Sequence, residues 1–267
     1  MNIILNEKEV AEKILNEGII LKGIGYTANL LCRYYYHEIG LRKAKIYEKV
    51  NDFLKEHSSE YTEQYWYQRL EKYAQRAKKY PLIKIDYIPI YQQDLEYLKS
   101  KTLNEQKILF TCICIVRYYN KINKMNNNWV NVELKDIFKL SNVNGTRNKK
   151  YEILRKLNQQ DEISFSKKIN NTNFKLNFFD DYTHKDEIYQ LKQFSDLGYT
   201  FELLNGNPDI YHCKNCGKLL KVKRPKKLIN SNNTQCHKKQ YCDDCRKIKE
   251  RERYIRYHKK KQKELKK

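Results

Sequence analysis

Two short motifs constrain this chain more than any other feature: Cys213-Lys-Asn-Cys216 and Cys242-Asp-Asp-Cys245, separated by residues 217–241. A CxxC turn presents two sulfurs to one ion. Two such turns complete the tetrahedral shell, with arms of about 2.3 Å, in which Zn²⁺ is held. The surrounding segment is rich in Lys and poor in apolar residues, so these cysteines have no core to fill; a redox pair or idle packing residues fit the pattern less well. The reading is one structural Zn²⁺ on Cys213, Cys216, Cys242 and Cys245. Cys236, His237 and His212 each stay open as an exchange for one of the four. Gly217, directly after the first pair, suits a knuckle whose amides turn toward the sulfurs. Asp243 and Asp244 suit the first turn of a helix opened by the second pair, where the dipole favours negative charge, and strong helix formers follow.

A first pair on a knuckle and a second in the first turn of a helix is the treble-clef arrangement. Cys213-x-x-Cys216-Gly217-Lys218 with Tyr241-Cys242-x-x-Cys245-Arg246 resembles small zinc modules of bacterial and phage proteins, whose basic helix often ends the chain. The resemblance covers 211–267. It implies a structural metal and a basic binding helix, not chemistry. Nucleases of the His-Asn-His type also use a treble clef, with an Asp-His or His-His pair beside the cysteines and a His after the last one. Here Arg246 takes that last place, and His237 has no acidic or histidine neighbour. The reaction would lack a base and catalytic metal ligands. His37, His57, His184 and His258 are isolated in sequence, and there is no Gly-x-Ser-x-Gly, P-loop or HExxH motif. Gly23-Ile24-Gly25 reads as a turn, since it lacks the remainder of any phosphate or dinucleotide fingerprint. The expectation is therefore a protein without enzymatic activity. Cys32, Cys112 and Cys114 sit in apolar helical surroundings and read as small buried hydrophobes.

Charge is uneven along the chain. The total is 54 Lys and Arg against 32 Asp and Glu, a net charge of +22. Residues 211–267 hold 21 basic and 5 acidic side chains, whereas the preceding 210 hold 33 and 27. A positive end on a nearly balanced body is a localised field that attracts polyanions. Nucleic acid, with DNA ahead of RNA, is the leading partner class, although an anionic protein surface or lipid headgroup would feel the same attraction. Arg246, Lys249, Arg253, Arg256 and Lys260 recur at intervals of three and four and form one stripe on a helix. Such a stripe can follow a phosphate backbone, and Tyr254 and Tyr257 can stack on unpaired bases or rest on the domain. The plain alternative is a solvated Lys-rich tail.

The fold class expected is mainly α, of the α+β type, in five segments. Residues 1–80 form a helical bundle, with Val10, Ile14 and Leu15, then Leu30, Leu31, Tyr34 and Tyr35, then Ile46, Val50, Phe53 and Leu54, then Tyr65, Trp66, Leu70 and Tyr73 on inward faces. Residues 81–102 form a connector, in which Pro81 and Pro89 bracket Leu82 to Ile88, a short alternating stretch that reads as a strand or an extended linker. In 103–182, Asn104 caps a helix reaching about Tyr119, followed by a β-prone run at 129–132, a helix at 133–140, a turn at 141–145, a helix at 146–158 and strands around Ile163/Phe165 and Phe174/Leu176/Phe178. Residues 183–210 form a second connector with a helical piece at 186–194. Residues 211–267 form the zinc module and basic helix.

The order helix, short strand, helix, turn, helix, hairpin over 103–180 resembles a winged helix, a variant of the helix-turn-helix family. The resemblance implies that the third helix enters a major groove and the hairpin acts as the wing. Asn144, Thr146, Arg147, Asn148, Lys149 and Arg155 are then the helix contacts, and Lys167, Lys168 and Asn171 the wing contacts. Arg and Asn pair bidentately with guanine and adenine edges, and Lys neutralises phosphate. Winged helices also serve as protein-interaction modules.

No stretch approaches the roughly 18 apolar residues of a membrane span, and the first residues lack a signal-peptide pattern. The expectation is a cytoplasmic protein without membrane contact, in a bacterial cell and possibly phage-encoded, whose thiols stay reduced. Heavy use of Lys, Asn, Ile and Tyr points to an AT-rich genome and to an accessory protein of a phage or mobile element. Two functions compete. One is a nucleic-acid-binding transcriptional regulator or replication accessory, with the bundle recruiting a partner or forming a homodimer. The other is an inhibitor of a host defence protein in the manner of an anti-CRISPR protein, which an exposed Tyr-rich surface on the first 80 residues would favour.

Overall fold

Apolar residues recurring every three to four positions bury one face of each of the first four helices. The computed structural model describes residues 3–124, 127–167, 172–178, 186–222 and 240–264, with the side chains of 259–264 left out. Helix α1 (Glu7–Glu17) begins where Asn6 Oδ1 accepts from the amides of Lys8 and Glu9, and ends at Gly18, whose φ of 61° suits a left-handed cap. With α2 (Ile24–His37), α3 (Lys43–His57), α4 (Glu63–Arg76) and a 3₁₀ turn (Ala77–Lys79), it surrounds Ile14, Leu30, Leu31, Ile46, Val50, Leu54 and Leu70. One expected core residue is turned out. Tyr65 is 66% exposed, because α4 approaches its neighbours through Leu70, Ala74 and Ala77, and these smaller residues leave the large rings at the rim.

The second core is built around α6 (Leu103–Asn123), which is apolar on all sides: Ile108 through Val116 are buried without interruption. A helix of that composition has no solvent face and takes the centre. Its cap is Thr102, paired with Glu105 in a capping box, rather than Asn104. Around it lie β1 (Ile88–Tyr91), α5 (Gln92–Leu98), β2 (Trp129–Val130), α7 (Leu134–Leu140), α8 (Arg147–Gln159), β3 (Ile163–Phe165), β4 (Phe174–Leu176), β5 (Glu187–Leu191) and α9 (Leu197–Leu204). Strands β2, β4 and β3 form an antiparallel sheet in that order, with Trp129 opposite Lys175 and Ile163 opposite Leu176.

Two stretches read from sequence as connectors belong to this core. Ile88, Ile90, Leu95 and Leu98 from 81–102, and Leu191, Phe194, Leu197 and Phe201 from 183–210, are buried in it. The expected helix at 186–194 is instead the strand β5, antiparallel to β1 with Ile88 opposite Leu191. A partner strand so distant in sequence overrides a local helical pattern. Arg117 locks the arrangement from inside, donating to Asp94 at 2.5 and 2.8 Å and to the Pro89 carbonyl at 3.0 Å. Ile3 and Leu5, which precede the bundle in sequence, also pack in this core.

Beyond α9, β6 (Ile210–His212) and β7 (Leu219–Lys221) form a hairpin, and α10 (Asp243–Glu264) follows. The described residues thus form a mainly helical protein with three small antiparallel sheets. Among them, no helix is long and apolar enough to cross a membrane.

Candidate metal centre

The tight loop joining β6 to β7 carries Cys213 and Cys216. Gly217 donates its amide to the Cys213 carbonyl at 3.0 Å, and the Cys213 amide donates to the Lys218 carbonyl at 2.8 Å. Gly217 has φ 72°, a conformation natural to glycine and strained for other residues. The second pair opens α10, where the Arg246 amide donates to the Cys242 carbonyl at 2.8 Å. Local hydrogen bonding thus folds each pair, and the two pairs meet.

All four Sγ atoms lie within 4.8 Å of one another. Cys216 Sγ and Cys242 Sγ are 3.7 Å apart; a regular tetrahedron with arms of about 2.3 Å has edges of about 3.8 Å. The residues therefore fit a tetrahedral metal site such as one for zinc. Cys213, Cys242 and Cys245 are buried and Cys216 is exposed. Donors face the sulfurs: the Cys242 amide to Cys213 at 3.3 Å, the Cys245 amide to Cys242 at 3.4 Å, and Asn215 Nδ2 to Cys245 at 3.4 Å. Burial alone would push the Cys213 thiol up, but the backbone amides of Cys216, Cys242 and Asn215 outweigh it and bring it below the ordinary thiol value, while burial and hydrogen bonds with the neighbouring sulfurs hold the Cys216 and Cys245 thiols above theirs. Asn215 escaped the sequence reading, because only the fold brings its amide to Cys245, 30 residues away.

His212 is outside the cluster; its Nδ1 lies 3.0 Å from the Gly217 carbonyl oxygen. Cys236 and His237 lie outside the described residues. Cys32, Cys112 and Cys114 are fully buried, and burial raises all three thiols, Cys32 to about 12. They are packing residues with no thiolate character.

No family model matches this chain, and no curated protein or solved structure does either.

Among the described residues the module has little apolar support of its own, since only Leu220 and Tyr241 pack against its three buried cysteines. It is anchored by Glu202 on α9, a residue that sequence reasoning missed. Glu202 is 2% exposed and accepts from Lys107 of α6 at 2.8 Å, from Lys221 of β7 at 2.5 Å and from Asn207 at 2.6 Å. Burial pushes its carboxyl up, and the two ammonium partners more than offset this, so it stays below the usual carboxylate range. The first turn of α9 in turn sits on the turn between α7 and α8. Asn142 Nδ2 donates to Asp196 at 3.1 Å, the Tyr199 amide donates to Asn142 Oδ1 at 3.3 Å, and a Cβ built on Gly198 would lie 1.8 Å from the Ser141 carbonyl oxygen. Asn142 and the Cys242–Asp243 start of α10 line one cleft of about 280 Å³.

The candidate contact residues fall on both sides of this joint. Asn144, Thr146, Arg147, Asn148, Lys149 and Arg155 are all exposed, and Thr146 Oγ1 caps α8 by accepting from the Lys149 amide at 3.4 Å. On α10, Arg246 reaches Asp243 and Glu250 at 3.5 and 3.8 Å, and Lys249 reaches Glu252 at 3.1 Å. Arg253 and Arg256 are exposed and make no ion pair among the described residues. Tyr254 and Tyr257 are 64% and 61% exposed, so they do not rest on the domain. Lys167 is exposed beside β3; Lys168, Asn171 and the side chain of Lys260 lie outside the described residues.

Proposed function

We propose that this chain is a non-enzymatic, zinc-containing nucleic-acid-binding protein, a transcriptional regulator or replication accessory of a phage or mobile element. The observation that carries this reading is the joint at α9. The turn leading into α8 and the start of α10 border one cleft, so the two most basic exposed helices leave the molecule from neighbouring points.

The order α6, β2, α7, α8, β3, β4 and the sheet order β2-β4-β3 support a winged helix with α8 as its groove helix. A cysteine knuckle in a hairpin, with a second pair opening a helix, supports a treble clef holding one structural Zn²⁺. In that reading the ion substitutes for the missing apolar core and fixes the base of α10. Arg147, Asn148 and Asn144 contact base edges; Lys149, Lys168, Arg246, Lys249, Arg253, Arg256 and Lys260 contact phosphate.

The test is an anisotropy titration of zinc-loaded protein against a labelled duplex across a salt series. About five phosphate contacts give a log-log slope near -4.5. The expected result is binding with such a slope, lost on chelation of zinc. Absence of duplex binding at low salt refutes the proposal.

One observation favours the second reading, an inhibitor that binds a host defence protein. Tyr36, Tyr65, Tyr67 and Tyr80 of the bundle are 38 to 66% exposed, and tyrosines anchor protein interfaces at low entropic cost. Deleting 211–267 abolishes most activity under the first reading and leaves it under the second.

A further inference from the structure

We infer that the bundle carries a second nucleic-acid site, a platform on α2, α4 and the 3₁₀ turn that takes unpaired nucleotides. Its centre is a pocket of about 390 Å³ lined by Asn29, Arg33, Tyr73, Arg76 and Tyr80. The volume lies in the usual range of about 300–1,000 Å³ for small-ligand sites. Two guanidinium groups, two phenol rings and one carboxamide are the complement of a nucleotide: rings stack on a base, a cation meets the phosphate, and an Asn side chain pairs with a base edge.

Arg33 is held in place, donating to both oxygens of Glu7 at 2.7 Å and to the Pro81 carbonyl at 3.3 Å. That carboxylate neutralises it, which leaves Arg76 as the phosphate partner. Arg76 is exposed and makes no ion pair among the described residues. Tyr80 is 52% exposed at the pocket mouth.

The same face continues along α4. Arg69 lies 5.5 Å from the Tyr65 ring centre and 5.2 Å from that of Trp66, two rings that meet edge to face, so a cation already sits against aromatic rings at the far end. From 66 to 80 the chain has Arg69, Lys72, Arg76, Lys78 and Lys79 and a single carboxylate, Glu71. Glu71 is bridged to Lys43 of α3 at 2.6 Å. A groove in which Arg76 is unopposed and the Tyr65 and Tyr80 rings are exposed tracks a single strand without reading its sequence. The site shares its ligand class with the proposed function but none of its residues.

Trp66 reports on the platform, and a Trp129→Phe background makes it the sole tryptophan. The full chain in that background is titrated with dT15, with a 15-base-pair duplex, and with a polyglutamate peptide. The expected result is quenching of Trp66 by dT15, with affinity for dT15 reduced at least about tenfold by Arg76→Ala with Tyr80→Ala, and retained by Tyr80→Phe. Both substituted side chains are exposed, so the fold is kept. Unchanged Trp66 emission at saturating dT15, or full dT15 affinity in the double variant, overturns the site. Equal quenching by polyglutamate also overturns it, in favour of an acidic protein partner. Quenching by dT15 in a chain that binds no duplex supports this site and refutes the duplex contacts proposed for α8 and α10 alone.

Discussion

Replacing Gly198 with Ala sets two physical effects against each other. Gly198 lies within α9, where Ala is favoured over Gly by about 1 kcal/mol of helix propensity. In isolation the change would stabilise the helix. The added Cβ, however, would sit 1.8 Å from the Ser141 carbonyl oxygen, 2.4 Å from its carbonyl carbon and 2.6 Å from Lys107 Cε, whereas ordinary contacts begin at 3.4 Å. Two of the three obstructing atoms are backbone, so no rotamer change relieves them. Helix α9 must move off the α7–α8 turn by more than an ångström. Overpacking costs about 1–3 kcal/mol, and the two hydrogen bonds through Asn142 add about 1 kcal/mol each if they break. Set against the propensity gain, the net expected loss with both bonds broken is about 2–4 kcal/mol. Urea unfolding followed by far-ultraviolet circular dichroism measures it. Gly25→Ala is the control, since its Cβ would meet Trp66 and Tyr73 at an ordinary 3.5 Å and should be neutral or stabilising. A Gly198→Ala protein as stable as the parent would refute the close seating of α9 on that turn.

Other outcomes follow from the same geometry. Glu202→Ala strands the buried Lys107 ammonium and should cost about 3–5 kcal/mol in urea unfolding. A carboxyl held below its ordinary value stabilises the fold above its unfolded pKa of about 4.3, and that contribution is lost as pH falls through the folded value; Glu202→Gln should flatten the acid limb of the stability curve below about pH 4. Cys245→Ser should abolish tight zinc binding in a competition assay with a chromophoric chelator, and circular dichroism should show the α6 core retained. Arg147→Ala should weaken binding to one duplex sequence by about 1–3 kcal/mol relative to others, while Lys149→Ala should weaken all sequences alike; equal effects in a panel of duplexes would refute the base-reading role of Arg147. Cys112 and Cys114 should resist thiol reagents until the chain is unfolded, in a timed labelling measured by mass.

Interactions among residues close in sequence are legible in the order of amino acids alone. The spacing within each CxxC, the glycine after the first pair and the two aspartates inside the second come from contacts no more than a few residues apart, and the sulfurs do cluster. The same holds for the apolar faces of α2 and α3, where Leu30, Leu31, Tyr34, Ile46, Val50, Phe53 and Leu54, marked by the periodicity, are buried.

Tertiary packing decided what depends on distant partners. Strand β5 resembles a helix locally and becomes a strand because β1 offers it a ladder. The residues at 81–102 and 183–210 read as connectors because they are short and broken by Pro, Asn and Gly, yet they close the core around α6, whose all-round apolarity has no periodicity to point with. Tyr65 and Trp66 have the spacing of core residues, but the smaller Ala74 and Ala77 set how closely α4 approaches its neighbours and leave Tyr65 in solvent. Glu202 is, by residue type, an ordinary surface carboxylate. Only the convergence of α6, α9 and β7 makes it the buried anion that ties the metal module to the central helix α6. Short-range geometry is written in spacing, whereas the choice among long-range partners rests on which burial and which ion pairs can be satisfied together.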